Sequence, residues 1–204
     1  MGEKKVFLVA NAHLDPVWQW EFDEGIAAAL STFRSAATLA EQYDYVFCHN
    51  EALLYEWIEK NDSELFERIR ASIKKDRWRV MGGWYLQPDC NMISGESFIR
   101  QIAAGRHYFS EKFGVKPWVA VNVDSFGHSR GMVQILAKCG FRGYIVGRPS
   151  EDEFHSGVSD FWWNGLDGSR IRVVRIPSYS TTMGIAARQN EEAAQKTENS
   201  SIIK

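Results

Sequence analysis

Short apolar runs and longer amphipathic runs alternate along the 204-residue chain. A short, nearly continuous apolar run is typical of a strand buried on both faces, and apolar residues spaced three or four apart are typical of a helix. The apolar runs predict strands at about 5–10, 45–48, 78–81, 118–123 and 144–146. The runs between them predict helices at about 23–42, 51–59, 63–75, 94–113 and 129–138. Repeated strand–helix units of this kind predict an α/β fold with a parallel sheet whose loops gather at one edge.

The last part of the chain departs from this alternation. In "DFWWNGLDGSRIRVVRIP" two β-rich runs flank Asp167 and Gly168, a pattern that predicts a hairpin. Residues 181–204 are polar and rich in Ala, Glu and Gln, so we expect an exposed helix or a poorly ordered end there. With 45% hydrophobic residues, the chain is long enough for one good core, and we expect a single domain over residues 1–204.

Composition narrows the functional classes. A formal net charge of −2 provides no basic field, which argues against a nucleic-acid partner. Cys48, Cys90 and Cys139 are far apart and form no C-x-x-C pair, so we interpret them as small core residues in a reducing compartment. The N-terminus has no apolar run long enough for a signal peptide, and no stretch reaches membrane-spanning length. We therefore expect a soluble, cytoplasmic protein.

His13 and Asp15 follow the first predicted strand and form a candidate metal site. Side chains two positions apart in an extended segment point to the same side, so both can reach one ion. Imidazole nitrogen together with carboxylate oxygen suits Zn²⁺. A single His-x-Asp is weak evidence, and a purely structural role is the alternative.

Asp124 follows another predicted strand, within "WVAVNVDSFGHS". Carboxylates at the carboxyl ends of parallel strands are where α/β folds keep their chemistry. Asp124 could instead cap the next helix, although Ser129 is also available for that role.

Three motifs in order, "AHLDPVW", "GGWYLQPDCNMISGES" and "VNVDSFGHS", resemble the N-terminal catalytic domain of glycoside hydrolase family 38, the zinc-dependent α-mannosidases. The resemblance runs from about Lys5 to about Ser180. It implies a seven-stranded (β/α) barrel of the glycoside hydrolase/deacetylase type, incomplete here, with about five parallel strands. In the family, one more zinc-binding histidine and the acid/base aspartate lie further along than Lys204. We therefore expect a piece of a longer enzyme, which by itself would be inactive if those groups are required.

The resemblance also implies an activity and a set of roles. It implies a retaining glycosidase that hydrolyses terminal α-linked mannose from glycans or oligosaccharides. His13, Asp15 and Asp124 match three of the family's four zinc ligands, and Asp124 also matches the nucleophile that forms the covalent mannosyl-enzyme. Zinc would then bind adjacent sugar hydroxyls and favour a distorted ring near the oxocarbenium-like transition state.

Four further residues are candidate substrate contacts. Trp18 and Phe126 would form an apolar wall for the sugar, with core packing as the alternative. Arg148 would orient Asp124, with a surface role as the alternative. Asp89 would bond substrate hydroxyls or order its own turn. The remaining histidines have other expected roles: His128 supports the Asp124 loop, and His49 is structural. His107 is expected in the core or on the surface, and His155 is expected to be solvated.

Two alternatives to the α-mannosidase remain open. A metal-dependent carbohydrate deacetylase would share a related barrel, but it would be expected to show an Asp-Asp pair after the first strand and a His-x-x-x-His downstream, and this sequence has neither. A non-catalytic sugar- or metal-binding fragment is the other alternative.

The expected partner is an α-mannoside oligosaccharide, with no nucleic acid and no membrane. An open barrel edge would also favour association into a homo-oligomer.

Overall fold

The structure, a computed structural model, describes residues 9–149, 153 and 157–176. Five helices lie in these ranges: α1 Phe22–Gln42, α2 Ala52–Asn61, α3 Ser63–Lys74, α4 Gly95–Phe113 and α5 Gly131–Lys138. Seven strands lie there too: β1 Ala10–Asn11, β2 Phe47–Glu51, β3 Trp78–Trp84, β4 Val119–Asn122, β5 Gly143–Val146, β6 Asp160–Asn164 and β7 Arg170–Arg175. The five predicted helices are confirmed, with ends shifted by one or two residues. No helix in the described ranges is long and apolar enough to cross a membrane.

The ends of α4 show how local sequence sets helix boundaries. The Ser94 hydroxyl accepts a hydrogen bond from the Ser97 backbone N–H at 3.2 Å, which satisfies one of the unpaired donors of the first turn. At the other end Gly114 has a φ of +69°, the left-handed conformation that commonly terminates helices and that glycine adopts without strain.

The described residues fall into two compact units. The first, called the N-terminal unit below, comprises Val9–Pro88 and Ile93–Val121. The second, called the C-terminal unit, comprises Asp89–Met92 and the described residues from Asn122 onward. The prediction of a single domain stays a prediction.

In the N-terminal unit β1, β2 and β3 lie side by side in that order, and both pairs are parallel. The register between β2 and β3 shifts between His49 and Glu51. On β3, Gly82 has a φ of +77°, and a Cβ there would lie 2.4 Å from the Asn50 Cβ. Only glycine allows this close approach, so the irregularity that directs the carboxyl end of β2 depends on it.

Aromatic side chains from four elements form the core of the N-terminal unit. Phe33 of α1, Tyr55 of α2, Trp78 of β3 and Phe109 of α4 are buried, and the Phe33 and Trp78 rings meet edge to face with centroids 5.3 Å apart. The Trp78 indole N–H donates to the Tyr55 hydroxyl at 2.8 Å, which satisfies a polar group that burial would otherwise leave unpaired. This core fixes the helices against the sheet whose edge carries His13 and Asp15.

In the C-terminal unit the order of strands is β4 (through its last residue, Asn122), β5, β7 and β6. Strands β5 and β7 are parallel, and β6 and β7 form an antiparallel pair. The turn between β6 and β7 contains Gly168 with a φ of +82°, and Asp167 Oδ1 accepts from the Ser169 N–H at 3.1 Å. The hairpin predicted at Asp167 and Gly168 is therefore confirmed.

The fold class is confirmed as mixed α/β with parallel strands. The predicted count of about five parallel strands is not confirmed: the seven described strands are divided between two sheets, β7 of the hairpin pairs parallel with β5, and β6 is antiparallel to β7. Closure of a seven-stranded barrel stays a prediction. The predicted strand at 5–10 and the polar segment 181–204 lie mostly or wholly outside the described residues, and so does His155.

Candidate active site

In the N-terminal unit, His13 and Asp15 lie in the segment between β1 and α1. His13 Nε2 is 3.2 Å from Asp15 Oδ1, so the imidazole and the carboxylate are in direct contact. The segment is held on both sides. The Trp20 indole N–H donates to the Asp15 carbonyl oxygen at 3.1 Å, and a Cβ at Gly25 of α1 would lie 2.0 Å from the Pro16 carbonyl oxygen. The absence of a side chain at Gly25 lets α1 pass directly against this segment.

The separation of the two donors fits ligands of one zinc ion. At ordinary Zn–N and Zn–O bond lengths and a tetrahedral angle, nitrogen and oxygen ligands lie about 3.4 Å apart. The observed 3.2 Å is close to that value. Among the described residues, no group of three or more His, Cys, Asp or Glu side chains is placed to hold a metal ion. His13 and Asp15 by themselves supply two of the donors that a zinc site needs.

The carboxyl end of β2 adds two buried ionisable groups to the same unit, His49 and Glu51, with His49 Nε2 4.0 Å from Glu51 Oε2. Burial raises the pKa of Glu51 to about 8; the Gln87 N–H, 3.3 Å from Oε1, opposes this shift and the Asp15 carboxylate adds to it. Burial lowers the pKa of His49 to about 3, and His13 lowers it further. At neutral pH the His49 ring is thus neutral and Glu51 is mainly protonated.

From the sequence, His49 was expected to have a structural role, and Glu51 was not among the candidate residues. The available signal was the polar run "HNE" at the end of an apolar strand, at the same sheet edge as His13 and Asp15. That run also fits the start of a helix, and α2 begins at the next residue, Ala52.

In the C-terminal unit, Asp124 lies just after the carboxyl end of β4. Two glycines allow close contacts at the loop that carries it, one with a side chain and one with backbone. Gly127 has a φ of +92°, and a Cβ there would lie 2.5 Å from Asn91 Nδ2, the group that donates to the Phe126 carbonyl oxygen at 2.9 Å. A Cβ at Gly147 would lie 2.2 Å from the Val123 carbonyl oxygen. The end of β5 therefore lies directly against the chain that leads into Asp124.

The contact between Gly147 and Val123 places the Arg148 side chain beside Asp124. The Arg148 guanidinium donates from Nε to Asp124 Oδ1, and it also lies over the Phe126 ring at 5.0 Å from the centroid. The Phe126 side chain is 72% exposed, so most of the ring is open to solvent beside the ion pair. A charged hydrogen bond of this kind orients a carboxylate. Ser129, the other candidate cap of α5, accepts from the Gly131 N–H at 3.3 Å.

The other candidate residues occupy the following positions. Trp18 is 66% exposed and meets Trp20 edge to face with centroids 5.4 Å apart. Asp89 orders its own turn, because Oδ1 accepts from the Asn91 and Met92 N–H groups at 2.9 and 2.8 Å. His107 is exposed on α4 beside Glu111.

Comparison with known proteins decides the family. The sequence model described as "Glycosyl hydrolases family 38 N-terminal domain" matches residues 3–202. The chain belongs to glycosyl hydrolase family 38.

Family 38 relatives and a solved structure agree with this assignment. Alpha-mannosidase G of Dictyostelium discoideum is 30% identical over 172 residues, which are 83% of this chain and 16% of that protein. Alpha-mannosidase 2C1 of Mus musculus is 29% identical over 89% of this chain and 18% of its own length. The crystal structure of an alpha-mannosidase from Enterococcus faecalis V583 matches with a TM-score of 0.82 over 97% of this chain and 23% of that one, at 20% identity, which supports the fold. The chain thus spans less than a fifth of the two relatives in sequence.

Proposed function

We propose that this family 38 chain forms part of a retaining, zinc-dependent α-mannosidase that removes terminal α-linked mannose from glycans or oligosaccharides. The observation that carries the proposal is the Asp124–Arg148 ion pair at the end of β4, in a chain that matches the family over residues 3–202. The remaining zinc ligand and the acid/base carboxyl would come from the full-length protein.

In this proposal Asp124 is the nucleophile. An oxygen of its carboxylate forms a bond to the anomeric carbon of mannose, the glycosidic C–O bond breaks, and the leaving oxygen takes a proton from a general acid. Water then cleaves the resulting ester, and the two displacements together retain the configuration. Arg148 orients the carboxylate for attack, and the exposed ring of Phe126 offers an apolar surface to the sugar. Trp18 and Asp89 are the other proposed substrate contacts, and in this proposal the Asp89 carboxylate binds sugar hydroxyls in addition to ordering its own turn.

His13, Asp15 and Asp124 are the proposed zinc ligands. Bound zinc would supply Lewis-acid polarisation of sugar hydroxyl groups and favour a distorted ring. The 3.2 Å separation of the His13 and Asp15 donor atoms supports this part of the proposal. A cytoplasmic location and self-association remain predictions.

The first experiment measures hydrolysis of an aryl α-mannoside and an aryl α-glucoside by the full-length protein that contains this chain. We expect turnover of the mannoside only. Asp124→Asn should retain the fold and lower kcat by at least about a thousandfold, because the amide cannot form the glycosyl ester. His107→Asn, at an exposed helix position, is the control. Release of acetate from acetylated sugars without mannoside cleavage would favour the deacetylase, and no turnover would favour the binding fragment.

The second experiment separates loss of the nucleophile from loss of metal. A fluorinated mannosyl inactivator should label the peptide that contains "VNVDSFGHS", and a label on another carboxylate with Asp124 unmodified would refute the assigned role. Zinc content should fall in His13→Ala and Asp15→Ala and remain unchanged in His107→Ala. Equal zinc in all of these proteins would refute the ligand assignment.

A further inference from the structure

In the C-terminal unit, His128 bridges the side chain of Tyr144 and the backbone of Arg148. Its Nδ1 is 2.8 Å from the Tyr144 hydroxyl oxygen, and its Nε2 is 2.7 Å from the Arg148 carbonyl oxygen. The ring also meets Tyr144 and Trp163 edge to face, with centroids 5.5 and 6.5 Å apart. Both nitrogens are engaged and the ring is packed on two aromatic side chains, so it has one favoured orientation.

The chain of hydrogen bonds continues on the far side of Tyr144. The Cys90 sulfur is 3.7 Å from the buried Tyr144 hydroxyl. The Asn122 amide donates to that sulfur at 3.2 Å and to the Ser125 hydroxyl oxygen at 2.9 Å. We call His128, Tyr144, Cys90 and Asn122 the His128 network. At one end of the network Asn122 bonds to Ser125, the residue that follows Asp124. At the other end His128 bonds to the backbone of Arg148, whose guanidinium pairs with Asp124.

Donor and acceptor chemistry gives this network a direction. A carbonyl oxygen can only accept, so His128 Nε2 carries the proton and donates to Arg148. In a neutral ring Nδ1 is then an acceptor, and the Tyr144 hydroxyl must donate to it. Burial lowers the pKa of His128, with the bond to the Arg148 carbonyl opposing, which is consistent with a neutral ring. Since Tyr144 has one hydroxyl proton, the Cys90 thiol is the donor in their contact.

We propose that His128 is a positioning residue that holds the Arg148 backbone, so that the guanidinium remains hydrogen-bonded to the Asp124 carboxylate. It does so as the Nε2–H tautomer, which the hydrogen bond from Tyr144 fixes. Gly147 has no side chain, so the segment that contains Arg148 can lie against the chain leading into Asp124. The hydrogen bond from His128 to the Arg148 carbonyl then holds that segment in place. The effect on turnover rests on the proposed function, whereas the effect on the Asp124–Arg148 ion pair does not.

The kinetic test is a double-mutant cycle in the full-length protein. His128→Asn removes the donor to Arg148, and Tyr144→Phe removes the donor to Nδ1 with little change of shape. Each should lower kcat for an aryl α-mannoside about 10- to 100-fold, a range typical of residues that orient a reacting group. His128→Gln, whose amide can still donate toward the Arg148 carbonyl, should recover part of the loss.

The cycle is closed with Arg148→Met, which removes the guanidinium and keeps the backbone carbonyl. If His128 acts through Arg148, adding His128→Asn to Arg148→Met should cost little more than Arg148→Met alone. Losses that multiply, or a Gln variant no better than Asn, would overturn the proposal. His107→Asn controls for replacement of a histidine elsewhere, and thermal unfolding confirms that each variant is folded.

A crystallographic test does not depend on activity. In Tyr144→Phe and His128→Asn crystals the Arg148 guanidinium should be displaced from Asp124 or divided between conformers. An undisturbed ion pair in both would overturn the positioning role even if mannoside is hydrolysed. A displaced ion pair in a protein without mannosidase activity would support the positioning role and refute the proposed function instead.

Discussion

Replacing Glu51 with glutamine should change how the stability of the N-terminal unit depends on pH. Burial raises the pKa of the folded carboxyl from 4.5 to about 8. The folded state therefore keeps a proton that the unfolded state releases near pH 4.5, and stability must fall as the pH rises from 4.5 to 8. Over the whole interval the free energy of unfolding should fall by about 5 kcal/mol, at 1.36 kcal/mol per pH unit. Glutamine resembles the protonated acid and retains the Oε1 acceptor for the Gln87 N–H.

His49 works in the opposite direction. Burial lowers its pKa from 6.5 to about 3, so the unfolded state binds a proton that the folded state excludes, and stability falls as the pH drops from 6.5 toward 3. Between pH 4.5 and 6.5 the contributions of His49 and Glu51 nearly cancel. Between pH 6.5 and 8 only Glu51 still contributes to the pH dependence, and the free energy of unfolding of the wild type should fall by about 2 kcal/mol.

The assay is urea unfolding followed by tryptophan fluorescence, with a chelator present, at pH 4.5, 6.5 and 8. The Glu51→Gln variant should have the same free energy of unfolding at pH 6.5 and pH 8. It should lose about 3 kcal/mol from pH 6.5 down to 4.5, because the contribution of Glu51 no longer opposes that of His49. Glu67→Gln, at an exposed position, should follow the wild type. A wild-type profile that is level above pH 6.5, or a Glu51→Gln profile that declines as steeply, would refute the reasoning.

Two further substitutions test how the N-terminal unit is built. Gly25→Ala should lower stability by about 1–3 kcal/mol and weaken zinc binding, because its Cβ would meet the Pro16 carbonyl oxygen beside the His13–Asp15 segment. Gly131→Ala, whose Cβ would have only a 3.6 Å contact, should be neutral or slightly stabilising in the same urea and zinc titrations, and equal effects at both positions would contradict this reasoning. Ser94→Ala should cost about 1 kcal/mol through loss of the cap of α4; Ser94→Thr is the control, and an unchanged urea midpoint in the alanine variant would rule the cap out.

Features that depend on neighbouring residues were predictable from the sequence. The order of helices and strands follows from apolar spacing, because a helix or strand buries one local pattern of side chains. The hairpin at Asp167 and Gly168 was predictable for the same reason, since a turn needs only a few adjacent residues of the right kind. His13 and Asp15 were also readable as a pair, because their spacing alone lets both side chains face one place.

Features that depend on distant residues were decided by the tertiary structure. Glu51 was predicted to start a helix, but the parallel pairing of β2 and β3 and the close approach at Gly82 make it the last, buried residue of a strand. Its raised pKa follows from that burial, which no local pattern specifies. Likewise, Arg148 reaches Asp124 across 24 positions of sequence, through backbone contacts that only glycine at position 147 allows. The sequence determined which residues carry the candidate chemistry, and packing between distant segments decided their partners and protonation.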